Sequence, residues 1–315
     1  WRWVFFVNIP LGLLAFIVTG VALPANSRRE NHAMDYLGAL LLTLSASSLI
    51  LVTSLGGHTF AWMSPTSFGL VAISLVTGVF FYLVELRAKE PILAPRIMRN
   101  RVVSSASAIG FVTGFSMYGA MTFLPFLFQT VFGVSPTMSG LRLLPLMVGL
   151  FAMSMIAGQL LARGWRYNIF PRVGTAVMTV GLALLGTVSA TTNGVVIAIY
   201  MVVLGTGLGA VMQILVVAVQ NAVDIRDLGT STAAANFFRS MGGSFGTAVF
   251  GAVYSNILPG RLMSNAAEVG GHLSLPPADQ WTPETLQRLE PTTLHVIVTS
   301  IRSEEHTSEL QSRGL

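Results

Sequence analysis

The chain of 315 residues contains no cysteine. It therefore has no disulfide, no cysteine-ligated metal and no thiol nucleophile. Histidine is scarce too, with 5 residues, and His, Asp and Glu are not clustered at metal-binding or acid–base spacing within or beside the apolar segments. These residues give little support for an enzyme embedded in a membrane. No metal or other cofactor is expected.

Charged residues are the second scarcity. They make up 10% of the chain, whereas apolar residues make up 53% and the mean hydropathy is +0.70. Soluble domains carry about 25% charged residues, so this chain has too few of them to cover a surface that faces water. Disordered chains are poor in apolar residues, which excludes disorder as well. The composition predicts a polytopic membrane protein.

The net charge of +5 does not indicate a nucleic-acid partner. A nucleic-acid footprint needs basic residues clustered on one polar face. Here the 18 Lys and Arg residues are scattered singly between apolar runs, so we expect the lipid bilayer, and not nucleic acid, as the main surroundings of this protein.

Eight apolar stretches have about the 20 residues that a helix needs to cross a hydrocarbon core about 30 Å thick. They are apolar throughout, whereas a membrane strand would alternate polar and apolar residues. The predicted fold is all-α, a bundle of about eight transmembrane helices. The predicted spans are 4–23, 36–55, 67–86, 103–130, 141–162, 170–190, 195–219 and 231–257, and a further apolar run begins near residue 292.

The connections between the spans divide the Lys and Arg residues unequally. One set holds Arg28, Arg29, Arg87, Lys89, Arg96, Arg99, Arg101, Arg163, Arg166, Arg172 and Arg226, and the other holds Arg2, Arg142, Arg261 and Arg288. Cytoplasmic loops carry the excess of positive charge. The first set is therefore predicted to lie in the cytoplasm, with the protein in the plasma (inner) membrane and a long outer loop at 258–290.

Five segments carry a resemblance to a known family. They are WRWVFFVNIPLG at 1–12, SPTMSGLRLLPLMVG at 135–149, GQLLARGWRY at 158–167, VMQILVVAVQNAVDIRDLG at 211–229 and NFFRSMGGSFGTAVFG at 236–251. In this order and spacing they resemble fourteen-helix drug:proton antiporters of the EmrB/QacA type, within the major facilitator superfamily. The resemblance covers the chain from residue 1 to about 301.

The resemblance implies an incomplete major facilitator fold containing helices six to thirteen and the start of fourteen. Residues 1–24 would be the last helix of the N-terminal half. Residues 25–100 would be two additional linker helices with basic loops, and 101–301 the C-terminal half. The tail at 302–315 contains RSEEHTSELQS, which resembles a translated sequencing adapter, and is excluded from the fold.

The resemblance also implies a function, namely proton-coupled export of hydrophobic or cationic drugs by alternating access. The partners would be the substrate, protons and the missing N-terminal half of the same protein. No span of this chain carries a carboxylate deep inside it, so the proton-coupling acid is expected in that half. An inert fragment with no transport activity of its own is the alternative.

Polar residues in the seventh span and just beyond its end form a candidate site. Gln213, Gln220 and Asp224 are seven and eleven residues apart, which leaves them within about 20° of one another on a helix. Such a stripe faces either a water-filled cavity or a neighbouring helix that it holds by hydrogen bonds. Asn221 lies roughly 80° away and is expected to contact a different neighbour.

Arg239 is the one cation predicted well inside a span, about 12 Å from its start at residue 231. An unpaired arginine there is expensive. Arg239 is therefore expected to pair with Asp224 or with an acid of the missing half, unless its stem snorkels to the surface. Asn236, three residues earlier, is expected to help hold it.

The fourth and eighth spans carry two further features. Gln129 follows Pro125 near the outer end of its span, which predicts a bent helix at the mouth of a cavity. The glycine pairs Gly110/Gly114, Gly205/Gly209 and Gly242/Gly246 predict close approach of helix backbones.

Overall fold

The computed structural model describes Phe6 and residues 8–22, 35–56, 60–88, 91–189 and 191–268, the last fifteen of these by backbone alone. Within these ranges the chain is helical and no strand is assigned beyond one isolated bridge between Gly56 and Phe60. The prediction of an all-α fold is confirmed. The apolar run near 292 and the tail at 302–315 lie outside the described residues.

Ten α-helices follow one another along the described chain. They are α1 Asn8–Ala22, α2 Tyr36–Leu55, α3 Pro65–Glu85, α4 Pro95–Met98, α5 Arg101–Thr130, α6 Pro136–Leu141, α7 Leu144–Ala162, α8 Ile169–Gly186, α9 Gly194–Asn221 and α10 Leu228–Glu268, with a 3₁₀ turn at Ile225–Asp227. Side chains cap many of the starts, as where Ser64 accepts from the Ser67 N–H and Asn193 from the Val195 N–H.

Over its described residues, each of the eight predicted spans is mainly helical. Six segments are long and apolar enough to cross a membrane, namely α2, α3, α5, α6 with α7, α8 and α9. Helix α1 is apolar but has 15 residues. Helix α10 runs to Glu268, past the predicted end at 257 and into the predicted outer loop. The prediction followed the apolar run, and a helix can continue beyond such a run into polar sequence.

The chain divides into two compact units, residues 1–34 and residues 35–315. In the second unit α9 is the central helix and packs against α7, α8, α5 and α10. Helix α5 packs along α10, and the pair α2 and α3 joins the bundle through contacts of α2 with α10. Two reciprocal hydrogen bonds join α2 to α3. Ser45 Oγ donates to the Ser74 carbonyl over 2.9 Å, and Ser74 Oγ donates to the Ser45 carbonyl over 3.0 Å.

Contacts between glycines and neighbouring backbones give the relative directions of the helices. Gly110 faces Ala235 and Gly114 faces Arg239, so α5 and α10 run in parallel. The same reasoning makes α7 parallel to α9, and α8 antiparallel to α9. These directions fit a chain that crosses the membrane alternately. They bring the connections that precede α5, α8 and α10 to one end of the bundle, which we call the basic end. Its described arginines are Arg87, Arg96, Arg99, Arg101, Arg163, Arg166, Arg172 and Arg226.

Close backbone packing at the predicted glycine pairs is confirmed. A Cβ placed on Gly205 or Gly209 would collide with the Leu146 or Leu150 carbonyl of α7. A Cβ on Gly242 or Gly246 of α10 would likewise collide with the Phe111 or Phe115 carbonyl of α5, and a Cβ on Gly114 of α5 would collide with the Arg239 carbonyl of α10. Small residues let membrane helices approach closely where no hydrophobic effect drives them together.

Large apolar side chains cover the outside of the bundle. Phe151 of α7 is 67% exposed and Leu75 of α3 is 66% exposed. A water-soluble protein rarely leaves contiguous apolar patches of this kind uncovered. Lipid tails provide the matching solvent, because every backbone group of a helix is already hydrogen-bonded within it.

Candidate functional site

Polar side chains of α9 lie on its exposed face. Gln213 and Gln220 are both exposed, and neither has a hydrogen-bond partner among the described residues. Asp224 does not belong to this helical stripe, because α9 ends at Asn221 and Asp224 has an extended backbone with ψ of 156°. The predicted geometry is wrong for Asp224 because the helix stops one turn earlier than the spacing argument requires.

Asn221 is the last residue of α9, and its side chain is exposed. The turn that follows is fixed by α5, because Asn100 Nδ2 donates to the Ala222 carbonyl over 2.8 Å. Asn100 also caps its own helix by accepting from the Val102 N–H over 2.9 Å. Asn221 therefore lies at an anchored end of α9, beside the basic end of the bundle.

Arg239 and Asn236 are the candidate polar residues of α10. The Arg239 guanidinium donates to Asn236 Oδ1 over 2.8 Å. Asn236 is exposed and Arg239 is partly buried. The glycines of α5 make room for the arginine stem, since a Cβ on Gly114 would lie 3.2 Å from Arg239 Cγ. The expectation that Asn236 holds Arg239 agrees with this contact.

Arg239 lies further from the start of its helix than the sequence argument placed it. Helix α10 begins at Leu228, so Arg239 is roughly 16 Å along its axis at 1.5 Å per residue.

The proposed pair of Arg239 with Asp224 is not formed in the described part of the chain. The ion pair there joins Arg96 and Asp227, with 2.6 Å between the Arg96 guanidinium and Asp227 Oδ1. Asp224 lies beyond the end of α9 and is exposed. Arg239 follows it by about four helical turns along the chain. Asp224, the partner predicted for Arg239, is therefore too far along the bundle to pair with it.

Gln129 lies near the C-terminal end of α5 and is hydrogen-bonded there. Its side-chain Nε2 donates to Ser139 Oγ of α6 over 3.1 Å, and Ser139 is buried. Helix α5 continues through Pro125 to Thr130. This contact links α5 to α6 and lies at the opposite end from Gln220 and Asn221, so the structure does not bring Gln129 together with the rest of the candidate site.

Sequence reasoning missed two anchors at the basic end. Glu85 Oε1 accepts from the Ile92 and Leu93 N–H groups over 2.9 and 3.1 Å, and Glu85 is 3% exposed. The Arg96–Asp227 pair joins residues 131 positions apart, a separation that gives no local signal. Both anchors hold the segment that connects α3 to α5.

A small cavity lies between α2 and α10. It measures about 170 Å³ and is lined by Ser54, Thr247, Ala248, Gly251 and Ala252. Sites for small molecules usually measure about 300–1,000 Å³, so this gap is too small for most of them. The described residues contain no group of three or more His, Asp or Glu that could hold a metal ion.

The described chain is therefore a helical bundle with a largely apolar exterior and exposed polar side chains on two helices that contact each other, α9 and α10. Residues 1–247 match the family model of the Major Facilitator Superfamily. The chain belongs to this superfamily. The match includes α9 and the part of α10 that carries Asn236 and Arg239, so the candidate site lies inside the superfamily's own sequence region.

Individual superfamily proteins resemble the chain closely. An uncharacterized MFS-type transporter of Mycobacterium tuberculosis strain H37Rv is 42% identical over 264 residues, which cover 84% of this chain and 38% of that protein. The multidrug transporter protein MdtP of Bacillus subtilis is 35% identical over 294 residues, 88% of this chain and 54% of its own length. A tetracycline resistance determinant of Streptomyces rimosus is 34% identical over 230 residues, 73% of this chain and 66% of that protein.

The chain spans about half the length, or less, of the first two relatives. Membership of the superfamily makes it a multi-pass membrane protein of a transporter family, and the six membrane-crossing segments agree with this. The superfamily and these relatives are transporters, which points away from an enzyme.

Proposed function

We propose that this chain forms part of a secondary active exporter of hydrophobic compounds, cationic drugs among them, driven by proton exchange. The exporter would work by alternating access, and the exposed polar residues of this chain would line its substrate path. The residues proposed for that path are Gln213, Gln220, Asn221, Asn236 and Arg239, with Gln129 near the opposite mouth. The relatives named for multidrug transport and tetracycline resistance support drug efflux.

The observation that carries the proposal is the exposure of Gln213, Gln220 and Asn236 on a bundle whose remaining surface is largely apolar. Amide side chains do not face lipid without cost. A water-filled cavity shared with a further set of helices removes that cost, and carriers bind substrate at such an interface near the middle of the membrane.

Proton coupling rests on a group that can take up and release a proton inside the membrane. In the described helices, acidic residues occur only at helix ends, as Glu85 and Glu268. We therefore propose that the coupling carboxylate belongs to an N-terminal half that precedes this chain in the complete protein. The relatives are long enough to contain such a half.

We further propose the fourteen-helix class of the superfamily for this chain. Residues 1–24 would then close the N-terminal half, 25–100 would contain the two additional linker helices α2 and α3, and 101–301 would form the C-terminal half. The tail at 302–315 is proposed to be an adapter-derived addition. The separate packing of α2 with α3 and their attachment through α2 support the linker assignment.

Flux through liposomes tests the transport proposal. The purified chain is reconstituted with a trapped fluorescent cation, and efflux is followed with and without a proton gradient. We expect efflux that the gradient accelerates and that an ionophore collapsing the gradient abolishes. Equal leakage with and without the gradient, matching protein-free liposomes, would contradict transport by this chain and support the inert alternative.

Topology mapping tests the proposed sidedness in the plasma membrane. A reporter fused at Arg166, between α7 and α8, should be active as a cytoplasmic reporter because the positively charged end stays inside. The same reporter fused at Asn193, at the start of α9, should behave as external. Exchanged activities at the two sites would overturn the proposed orientation and leave the fold unaffected.

A further inference from the structure

We infer that Arg239 and Asn236 form an anion-accepting subsite that selects hydrophobic compounds bearing a carboxylate. This inference rests on the proposed function and narrows its substrate class. The preference concerns the part of the substrate that lies against Arg239, so a drug with a cationic group elsewhere in the molecule remains a substrate of the proposed exporter.

The hydrogen bonding of Arg239 is incomplete. A guanidinium has five N–H donors in a planar fork, and the described contact uses one of them, to Asn236 Oδ1 over 2.8 Å. The acceptor is a neutral amide, and among the described residues no carboxylate pairs with this guanidinium. The remaining donors suit a carboxylate, which accepts two parallel hydrogen bonds from the fork.

The arginine is also held in a defined place. Its Cγ lies against Gly114 and its Cβ against Gly110, so the stem follows the glycine face of α5. Side chains of a helix point towards its N-terminus, and the contact with Asn236 at i−3 agrees with that direction. Asn236 and Ser240 are exposed beside it, so the guanidinium stands next to polar groups that a ligand can reach.

The sign of the local field follows from what surrounds this position. Arg239 is roughly 16 Å into α10, and the described helices carry acidic residues only at their ends. A positive charge in a low-dielectric wall attracts anions and repels cations, and salt screens it less than a surface charge. The described wall therefore favours a negative group at this depth.

A matched pair of dyes tests the inference. Rhodamine B carries a free carboxylate, and its ethyl ester has the same ring system with that charge removed. Binding of each dye to the chain in nanodiscs is measured by fluorescence polarisation at pH 7, with empty nanodiscs subtracted. We expect the acid to bind about tenfold or more tightly than the ester, the effect of hydrogen bonds to a charged group.

Three variants locate the preference. Arg239→Gln should remove the preference, because the acid loses its partner while the cationic ester loses a repelling charge and should bind as well or better. Monodisperse elution of the variant in detergent reports separately that it is folded. Arg239→Lys keeps the charge without the fork and should retain part of the preference. Asn236→Ala tests the positioning residue and should lower the ratio of acid to ester binding. Arg172→Gln, which removes an exposed arginine at the start of α8, is the matched control and should change nothing.

The outcomes separate this inference from the proposed function. Equal binding of acid and ester by the unmodified chain would contradict the anion subsite, and it is the result expected if a carboxylate of the protein already occupies Arg239. A preference that survives Arg239→Gln would also contradict it. Binding of neither dye would count against both the subsite and the proposed transport of hydrophobic compounds.

Discussion

Gly242→Ala should destabilise the bundle by about 1–3 kcal/mol, the usual cost of overpacking a tight core. The added Cβ would collide with the Phe111 carbonyl and Phe111 Cα of α5. These are backbone atoms, so no side-chain rotation relieves the collision and α5 and α10 must move apart. The measurement is the fraction of detergent-purified protein that stays monodisperse after heating.

Gly158→Ala is the matched control for that substitution. Gly158 lies inside α7, and a Cβ there meets nothing within 4 Å. Alanine favours a helix over glycine by up to about 1 kcal/mol, so this variant should be as stable as the unmodified chain or more so. If both variants lose the same amount of heat stability, the glycine provides helix flexibility and not the close approach of α5 to α10.

Glu85→Ala should destabilise the protein by about 3 kcal/mol. Its Oε1 accepts from the N–H groups of Ile92 and Leu93, and the loss of a partner in a buried setting costs about 1–3 kcal/mol for each unsatisfied group. The same loss should release the segment from Leu86 to Ala94, so limited proteolysis there should accelerate. Heating in detergent and the rate of proteolysis are the two measurements.

Glu85→Gln separates the hydrogen bonds from the charge. A glutamine retains one side-chain oxygen that accepts from both N–H groups, so most of the stability should remain. It also replaces Oε2, which is buried without a hydrogen-bond partner. If glutamine proves as damaging as alanine, the carboxylate charge and not the capping of Ile92 and Leu93 would be the stabilising feature.

The anchors at this end of the bundle position the candidate site. Glu85 holds Ile92 and Leu93, and the next residues bring Ala94 and Ile97 into a buried cluster with Val219 of α9. Asn100 then fixes the turn after α9. The ion pair of Arg96 with Asp227 lies in the same region, but the Arg96 side chain is 72% exposed, and exposed pairs contribute about 0–1 kcal/mol.

Hydrophobic content determined much of this protein by sequence alone. Apolar runs of membrane-spanning length predicted α1, α2, α3, α5, α7, α8, α9 and α10, since only helices and closed barrels satisfy a backbone in lipid and these runs lack the alternation of barrel strands. The pairs Gly205/Gly209 and Gly242/Gly246 predicted close packing, because a missing side chain is a local property that sequence displays directly. Arg239 was identified for the same reason, as a lone charge in an apolar run.

Tertiary structure decided which polar groups meet. The sequence placed Asp224 on the face of Gln213 and Gln220, but the end of α9 at Asn221 is set by packing and by the Asn100 contact. The sequence also predicted an ion pair of Asp224 with Arg239. In the folded chain Asp227 pairs with Arg96, and Arg239 donates a hydrogen bond to Asn236. Periodicity reports the face of one helix, while partners across 131 residues depend on how separate helices align, and no local pattern encodes that alignment.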